Sequence, residues 1–310
     1  MSAANPASQP RVLFITLSNI GDLILTTPAL QALHAAYPDH LIDIVADTRS
    51  SDLLRACPYL GTLYHRHKAR GLRDIMELIL TLRARYYTAI VDLRTDFLPL
   101  LLKGSQRTIR WRRPAHGPHA AEQHLAIASR VLQGNFSVPE TTIWLAPADI
   151  EFARKLMAPF TASRWLALAP GANWPGKIWP ARYFSELING IADEFSAVMI
   201  LGGGSDRTVA DSLKAHCLLP CLNVAGSTSL TQAAALLDHA AAFVGNDSGL
   251  GHLAAARKVP TLTLFGPGRP ERYCPWGSKA RIVRAPNQDL SALTPQLVEA
   301  ALRAICVISK

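Results

Sequence analysis

Three groups of side chains in this chain have the types and spacing that chemistry needs: an aspartate closing a glycine turn, a lysine in a loop of small residues, and an Asp-Ser-Gly followed by a histidine. The turn Ser18-Asn19-Ile20-Gly21-Asp22 follows the apolar run 12–17 and opens an amphipathic stretch, 23–37. An aspartate there is either an N-cap that satisfies orphan N–H groups or a general base at the mouth of a site. Both readings stay open on spacing alone. Lys177 stands in Pro170-Gly171-Ala172-Asn173-Trp174-Pro175-Gly176-Lys177-Ile178-Trp179-Pro180, again between a strand-like run and a helix. Such a lysine can meet a phosphate as a point charge, and Trp174 or Trp179 can stack on a base or pack beneath the loop. The loop lacks the spacing of a P-loop. In Val244-Gly245-Asn246-Asp247-Ser248-Gly249-Leu250-Gly251-His252 a strand passes into a helix. Free N–H groups at such a helix start suit a diphosphate.

A fourth turn, Leu201-Gly202-Gly203-Gly204-Ser205-Asp206-Arg207, lets a ligand or a backbone approach closely, and Asp206 can cap the next helix or accept from a ribose hydroxyl. It is not a dinucleotide fingerprint, because the third glycine is missing. No Asp-x-Asp, G-x-S-x-G or H-E-x-x-H occurs. His116, His119 and His124 form only a loose group, and Cys217 and Cys221 lack a second pair of ligands, so no metal site is expected. Five cysteines, an odd number, read as thiols rather than a disulfide framework.

The elements that must position these turns are legible as alternation. Strand-like runs at 12–17, 42–46, 89–93, 165–169, 197–201, 242–245 and 261–265 are separated by amphipathic stretches. That rhythm predicts parallel sheets covered by helices, with ligands at the carboxyl ends of the strands. It runs twice, around a turn-rich break at 134–139. Two doubly wound α/β domains are expected, 1–150 and 151–310, with a short strand at 143–145 and a last helix near 294–305 that crosses back over the first domain.

The 310 residues are 49% apolar and only 18% charged, which excludes a disordered chain or a coiled coil. No run is apolar enough to span a bilayer, and no secretory leader is read at the start, so a cytoplasmic protein is expected. The formal charge of +9 is concentrated between Arg49 and Arg113, where 14 Lys/Arg face 5 Asp/Glu. An anionic partner follows from that field. Apolar residues 97–102 next to Lys103, and Trp111 among arginines, suit a membrane interface better than a DNA groove.

In this order, the turns resemble glycosyltransferase family 9, the ADP-heptose:lipopolysaccharide heptosyltransferases. The matching pieces are Leu17 to Asp22 with Thr27-Pro28-Ala29-Leu30, Pro170-Gly171-Ala172 through Pro180, Asn223-Val224-Ala225-Gly226, Asn246 to His252, and Phe265-Gly266-Pro267. The resemblance implies a GT-B fold, two Rossmann-like domains facing across a cleft. It implies inverting, metal-independent transfer of a heptose from ADP-heptose to the lipopolysaccharide inner core, without a cofactor. Asp22 then looks like the base and Lys177 like the residue that neutralises the leaving diphosphate. Ala172, Asn173, Asp206, Asp247, Ser248, Gly249, Leu250 and His252 fall on the donor side. Ser18, Asn19, Gly21, Arg49, Arg94 and Arg112 fall on the acceptor side, where an anionic lipid-linked oligosaccharide at the inner membrane face is implied. A monomer with no nucleic-acid partner is expected. Gly251 stands where the family often has Ser or Met, and Ala172-Asn173 where some members have paired threonines. Another nucleotide-sugar donor or another surface-glycan or protein acceptor is the alternative, and a non-catalytic binder of anionic ligands a more distant one.

Overall fold

The structure is a computed structural model and describes residues 9–66, 71–95, 97–108, 117–132, 137–161 and 164–308. By internal contacts the chain divides into two units, Met1–Trp144 and Leu145–Lys310. The first contains β1 (Arg11–Ile15), α1 (Ile20–Ile24), α2 (Thr27–Ala36), β2 (Leu41–Asp47), β3 (Leu60–Arg66), α3 (Gly71–Arg83), β4 (Tyr86–Asp92), β5 (Lys103–Arg107) and α4 (Ala120–Ala128). The second contains α5 (Pro147–Met157), β6 (Trp165–Ala169), α6 (Ala181–Gly190), β7 (Ala197–Ile200), α7 (Arg207–Ala215), β8 (Cys221–Asn223), α8 (Leu230–Leu237), β9 (Ala240–Asn246), α9 (Gly249–Ala256), β10 (Thr261–Phe265), α10 (Pro270–Tyr273), β11 (Ala280–Arg284) and α11 (Pro295–Ile308).

Each unit has one parallel sheet, in the order β3-β2-β1-β4-β5 and β11-β10-β9-β6-β7-β8. In the first, successive strands step outward from β1 on one side, and the chain then returns to the other side at β4. In the second, the same reversal falls between β6 and β9. These are topological switch points, where the loops leaving adjacent central strands diverge and open a crevice at the carboxyl edge.

The central strands are buried on both faces, which is why they read as continuous apolar runs. Leu13, Ile15, Val45 and Ile90 form the first core with Tyr87 and Leu82. Leu166, Leu168, Val198, Val244 and Leu264 form the second, with Phe184 and Leu187 of α6 and Val298 and Leu302 of α11. The last helix thus spends its apolar face on the second sheet. Inside β2, the fully buried carboxylate of Asp43 accepts from Thr62 N (2.7 Å) and pairs with Arg11 and Arg85. Those partners offset the cost of desolvating a charge between apolar neighbours in the strand.

Two local expectations fail for identifiable reasons. The stretch 23–37 is two helices rather than one. Thr26 Oγ1 donates to Leu23 O (2.7 Å) and Thr27 Oγ1 to Ile24 O (2.8 Å), while Pro28 has no N–H to continue the ladder. Residues 143–145 form no strand, although Ile143 is buried. Among the described residues, no helix is long and apolar enough to cross a membrane.

Candidate active site

In the second unit, the turns leaving β6 and β9 flank the switch point, and side chains lock them together. Asn246, the last residue of β9, is fully buried. Its Nδ2 donates to Pro170 O (2.6 Å) and its Oδ1 accepts from Trp179 N (3.0 Å). One amide thus pins both ends of the loop that carries Lys177. Trp179 packs beneath that loop, fully buried, and donates from Nε1 to Leu293 O (2.8 Å). Trp174 stays half exposed, with its ring over Gly176.

With its loop held, Lys177 reaches Asp247, Nζ to Oδ2 at 2.5 Å. The next residue, Ser248, is the N-cap of α9 in extended backbone, yet its side chain makes no cap hydrogen bond. Its Oγ is buried and has no partner among the described residues. A buried hydroxyl left unsatisfied costs free energy unless a ligand engages it. A lysine, a carboxylate, that hydroxyl and the N-terminal N–H groups of α9 at Gly249 and Leu250 therefore lie along one stretch of sheet edge. His252 is buried on the same helix. Gly251 faces the sheet, and a Cβ there would lie 3.0 Å from Thr263 Oγ1, so a larger side chain has little room.

Asp206, at the end of the β7 turn, accepts from Gly203 N (2.8 Å) through Oδ2, so it acts as a cap of its own turn. Its carboxylate lies where a Cβ on Gly171 would be, at 2.2 Å, which explains why glycine follows Pro170. Ala172 is half-buried and Asn173 exposed on the Lys177 loop.

Replacing Asn246 by alanine leaves a buried N–H and a buried C=O without partners. At about 1–3 kcal/mol for each unsatisfied group, a stability loss of about 2–6 kcal/mol is expected in urea denaturation, together with a loss of activity. A variant as stable as the parent would remove the clamp from the account.

In the first unit, α1 begins at the switch point beside β1. Asn19, not Asp22, takes the N-cap position, and no side chain caps the helix. The capping alternative for Asp22 therefore does not hold. Asn19 Nδ2 instead donates to Asp22 Oδ2 (2.8 Å), and Oδ1 accepts nothing from the described residues. Asp22 is half-buried, as are Ser18 and Gly21, while Asn19 is exposed. Ser50 Oγ donates to Ser18 O (3.2 Å), tying this turn to the one after β2.

That neighbouring turn carries Arg49, whose guanidinium holds Asp47 at 2.9 and 3.3 Å. This hydrogen bonding holds the Asp47 carboxyl below the ordinary carboxylate range. At the end of β4, Asp92 accepts from Arg94 N (2.8 Å) and Thr95 N (2.9 Å) and so shapes the turn carrying Arg94. Partial burial, and then the nearby guanidinium of Arg66, lower the pKa of Arg94. Three arginines, 49, 66 and 94, thus gather at the carboxyl edge of the first sheet with two buried carboxylates as anchors. Asp47, Asp92 and Arg66 escaped the sequence reading, although each stands at the last position of its strand. Arg112 lies outside the described residues, as does His116. His119 caps α4 through Nδ1, accepting from Ala121 N (3.2 Å), and His124 Nδ1 contacts Leu25 O. All five cysteines are free.

Known proteins share both the pattern and the architecture. A family model described as glycosyltransferase family 9 (heptosyltransferase) matches residues 103–299. Lipopolysaccharide heptosyltransferase 3 of Escherichia coli is 28% identical over 83% of this chain and 82% of its own. Lipopolysaccharide heptosyltransferase 2 of the same organism is 26% identical over 95% and 98%. The solved structure of E. coli ADP-heptose lps heptosyltransferase II superposes with a TM-score of 0.79 at 26% identity, covering 96% of this chain and 99% of that one. The GT-B expectation for the fold is met. With well over half its length matched by the family model, this chain belongs to glycosyltransferase family 9, the heptosyltransferase family, and is a glycosyltransferase.

Proposed function

We propose that the enzyme transfers a heptose from ADP-heptose to the inner core of lipopolysaccharide, with inversion at the anomeric carbon and without a metal ion. The observation that carries this reading is the group at the second switch point: Lys177 paired with Asp247, beside the buried hydroxyl of Ser248 and the N-terminus of α9. A cation, a hydroxyl and helix N–H groups are what a departing diphosphate needs. The names of the E. coli relatives, which include ADP-heptose and lipopolysaccharide, support the same donor and acceptor.

Asp22 takes the proton from an acceptor hydroxyl through Oδ1, while Asn19 holds Oδ2 and fixes the carboxylate plane. The acceptor oxygen attacks the anomeric carbon on the face opposite the diphosphate. The C–O bond to the diphosphate breaks, and ADP takes both bonding electrons. Lys177, released from Asp247, and the N–H groups of α9 bear the charge that develops. Asp247 and His252 are then placed to bind sugar hydroxyls, and Asp206, Ala172 and Asn173 line the nucleoside side. Arg49, Arg94 and Arg112 meet the carboxylates and phosphates of the acceptor, and the basic first unit works at the cytoplasmic face of the inner membrane.

The test is calorimetry against a panel of ADP- and UDP-sugars, followed by transfer assays with and without EDTA. ADP-heptose is expected to bind at least tenfold more tightly than the other donors, and EDTA to leave the rate unchanged. Preference for a UDP-sugar would overturn the donor, and loss of turnover in EDTA the metal-independence.

A further inference from the structure

The first unit contains a cavity of about 210 Å³ whose apolar interior has no role in the chemistry above, although Arg94 stands in its lining. Its floor is Ile15 and Val45 of the sheet, and α3 walls it with Ile75, Leu78 and Ile79. The turn after β4 closes the third side with Phe97 and Leu101. The lining is almost wholly apolar, and two cations, Arg66 and Arg94, stand within it. Phe97 and Leu101 also remain about half exposed, at 60% and 49%.

Those features describe a receptor for a molecule that is apolar at one end and anionic at the other. Apolar cavities of ~150 Å³ already accept a benzene-sized guest, so this one has room for several methylenes. Arg66 lies near enough to Arg94 to disfavour its charge, with Asp47 and Asp92 as the nearby counter-charges, and an anion shared by the two arginines adds to that compensation. Arg66 ends the edge strand β3 and Arg94 stands on the turn after β4, both at the carboxyl edge of the sheet, and the cavity they share also takes in Ile15, the last residue of β1, the strand that leads into the turn carrying Asp22. An anion bound there sits on the acceptor side of the site, with any attached chain directed beneath α3.

We infer that this cavity binds one alkyl chain of the acceptor lipid, with Arg66 and Arg94 pairing an anionic group near the head of that chain. The inference rests on the acceptor being lipid-linked, as proposed above, and it deepens that reading by assigning the lipid its own subsite. The enzyme then draws a chain out of the leaflet and uses its burial to hold the sugar hydroxyl near Asp22.

The probe is dodecyl phosphate, titrated below its micelle concentration into the full chain and followed by calorimetry, without donor and without turnover. One saturable site is expected, at least 100-fold tighter than inorganic phosphate. Ile79→Trp fills the cavity and is expected to weaken dodecyl phosphate at least tenfold, with a thermal melt reporting whether the variant is folded. Arg66→Ser/Arg94→Ser leaves the apolar lining intact and is expected to cost a similar factor, so the test survives if the tryptophan variant does not fold. The triple change Leu72→Ser/Met76→Ser/Leu80→Ser alters only the outward stripe of α3 and is expected to leave binding within twofold. Binding that the triple change abolishes and Ile79→Trp does not would place the lipid on the outer surface and overturn the cavity assignment. So would binding that appears only to micelles, or no binding at all. Because no transfer is measured, a wrong donor or sugar acceptor leaves these results unchanged, and failure here leaves the donor assignment standing.

Discussion

Asp22→Ala is expected to lower the transfer rate about 10²–10⁴-fold, the range for losing a positioned general base, or about 2.7–5.4 kcal/mol of transition-state stabilisation. Donor affinity should stay within twofold, because Asp22 belongs to the first unit and the diphosphate groups to the second. Asp22→Asn is the sharper variant. It preserves the shape of the side chain and a contact with Asn19, now 2.8 Å from Oδ2, but it cannot accept a proton. Both variants should be similarly inactive under single-turnover conditions with saturating donor and acceptor. If Asp22→Asn kept more than a tenth of the parent rate, Asp22 would be a positioning group and another base would have to be sought.

Lys177→Ala is expected to reduce kcat about 10²–10³-fold, the cost of removing one preorganised charge-stabilising donor. The sign of the effect on donor affinity follows from the Asp247 contact. The ammonium group is paired with that carboxylate, so removing it exposes the diphosphate to an unneutralised anion beside Ser248. Affinity for ADP should therefore fall along with kcat. Lys177→Arg keeps the charge with a different geometry and should recover part of the rate, whereas Lys177→Met should not. Raising ionic strength should not rescue the alanine variant, because the lost contact is local and partly buried. A Lys177→Ala enzyme within threefold of the parent in both kcat and ADP affinity would show that another group carries the leaving charge.

How far the fold could be read depends on where each strand sits. The central strands β1, β2, β4, β6, β7, β9 and β10 were legible because both faces are buried, which demands a continuous apolar run. The four strands that escaped, Leu60–Arg66, Lys103–Arg107, Cys221–Asn223 and Ala280–Arg284, are the edges of the two sheets. An edge strand is half wetted, so it tolerates the Lys, Ser, Gln and Arg that erase a hydrophobic pattern. The site followed the same logic. Glycine-bearing turns opening helices marked Asp22, Lys177 and Asp247 to His252, since local backbone geometry dictates such residue types. Asn246 could not be recognised as a clamp, because its partners Pro170 and Trp179 are 76 and 67 residues away along the chain.

From its residue order alone this chain specified two rounds of alternating strand and helix, the turns that carry the proposed site residues, and a basic surplus confined to the first half. Those are local properties, set by backbone dihedrals, periodicity and charge. Only folding decided that β1 lies beside β4 and β6 beside β9, so that the turns carrying Asp22, Lys177 and Asp247 open at a reversal of strand order. Strand pairing is a non-local choice, made by the packing of whole sheets and helices. For that reason the meeting of Lys177 with Asp247, and the cavity beneath α3, are written in no single stretch of sequence.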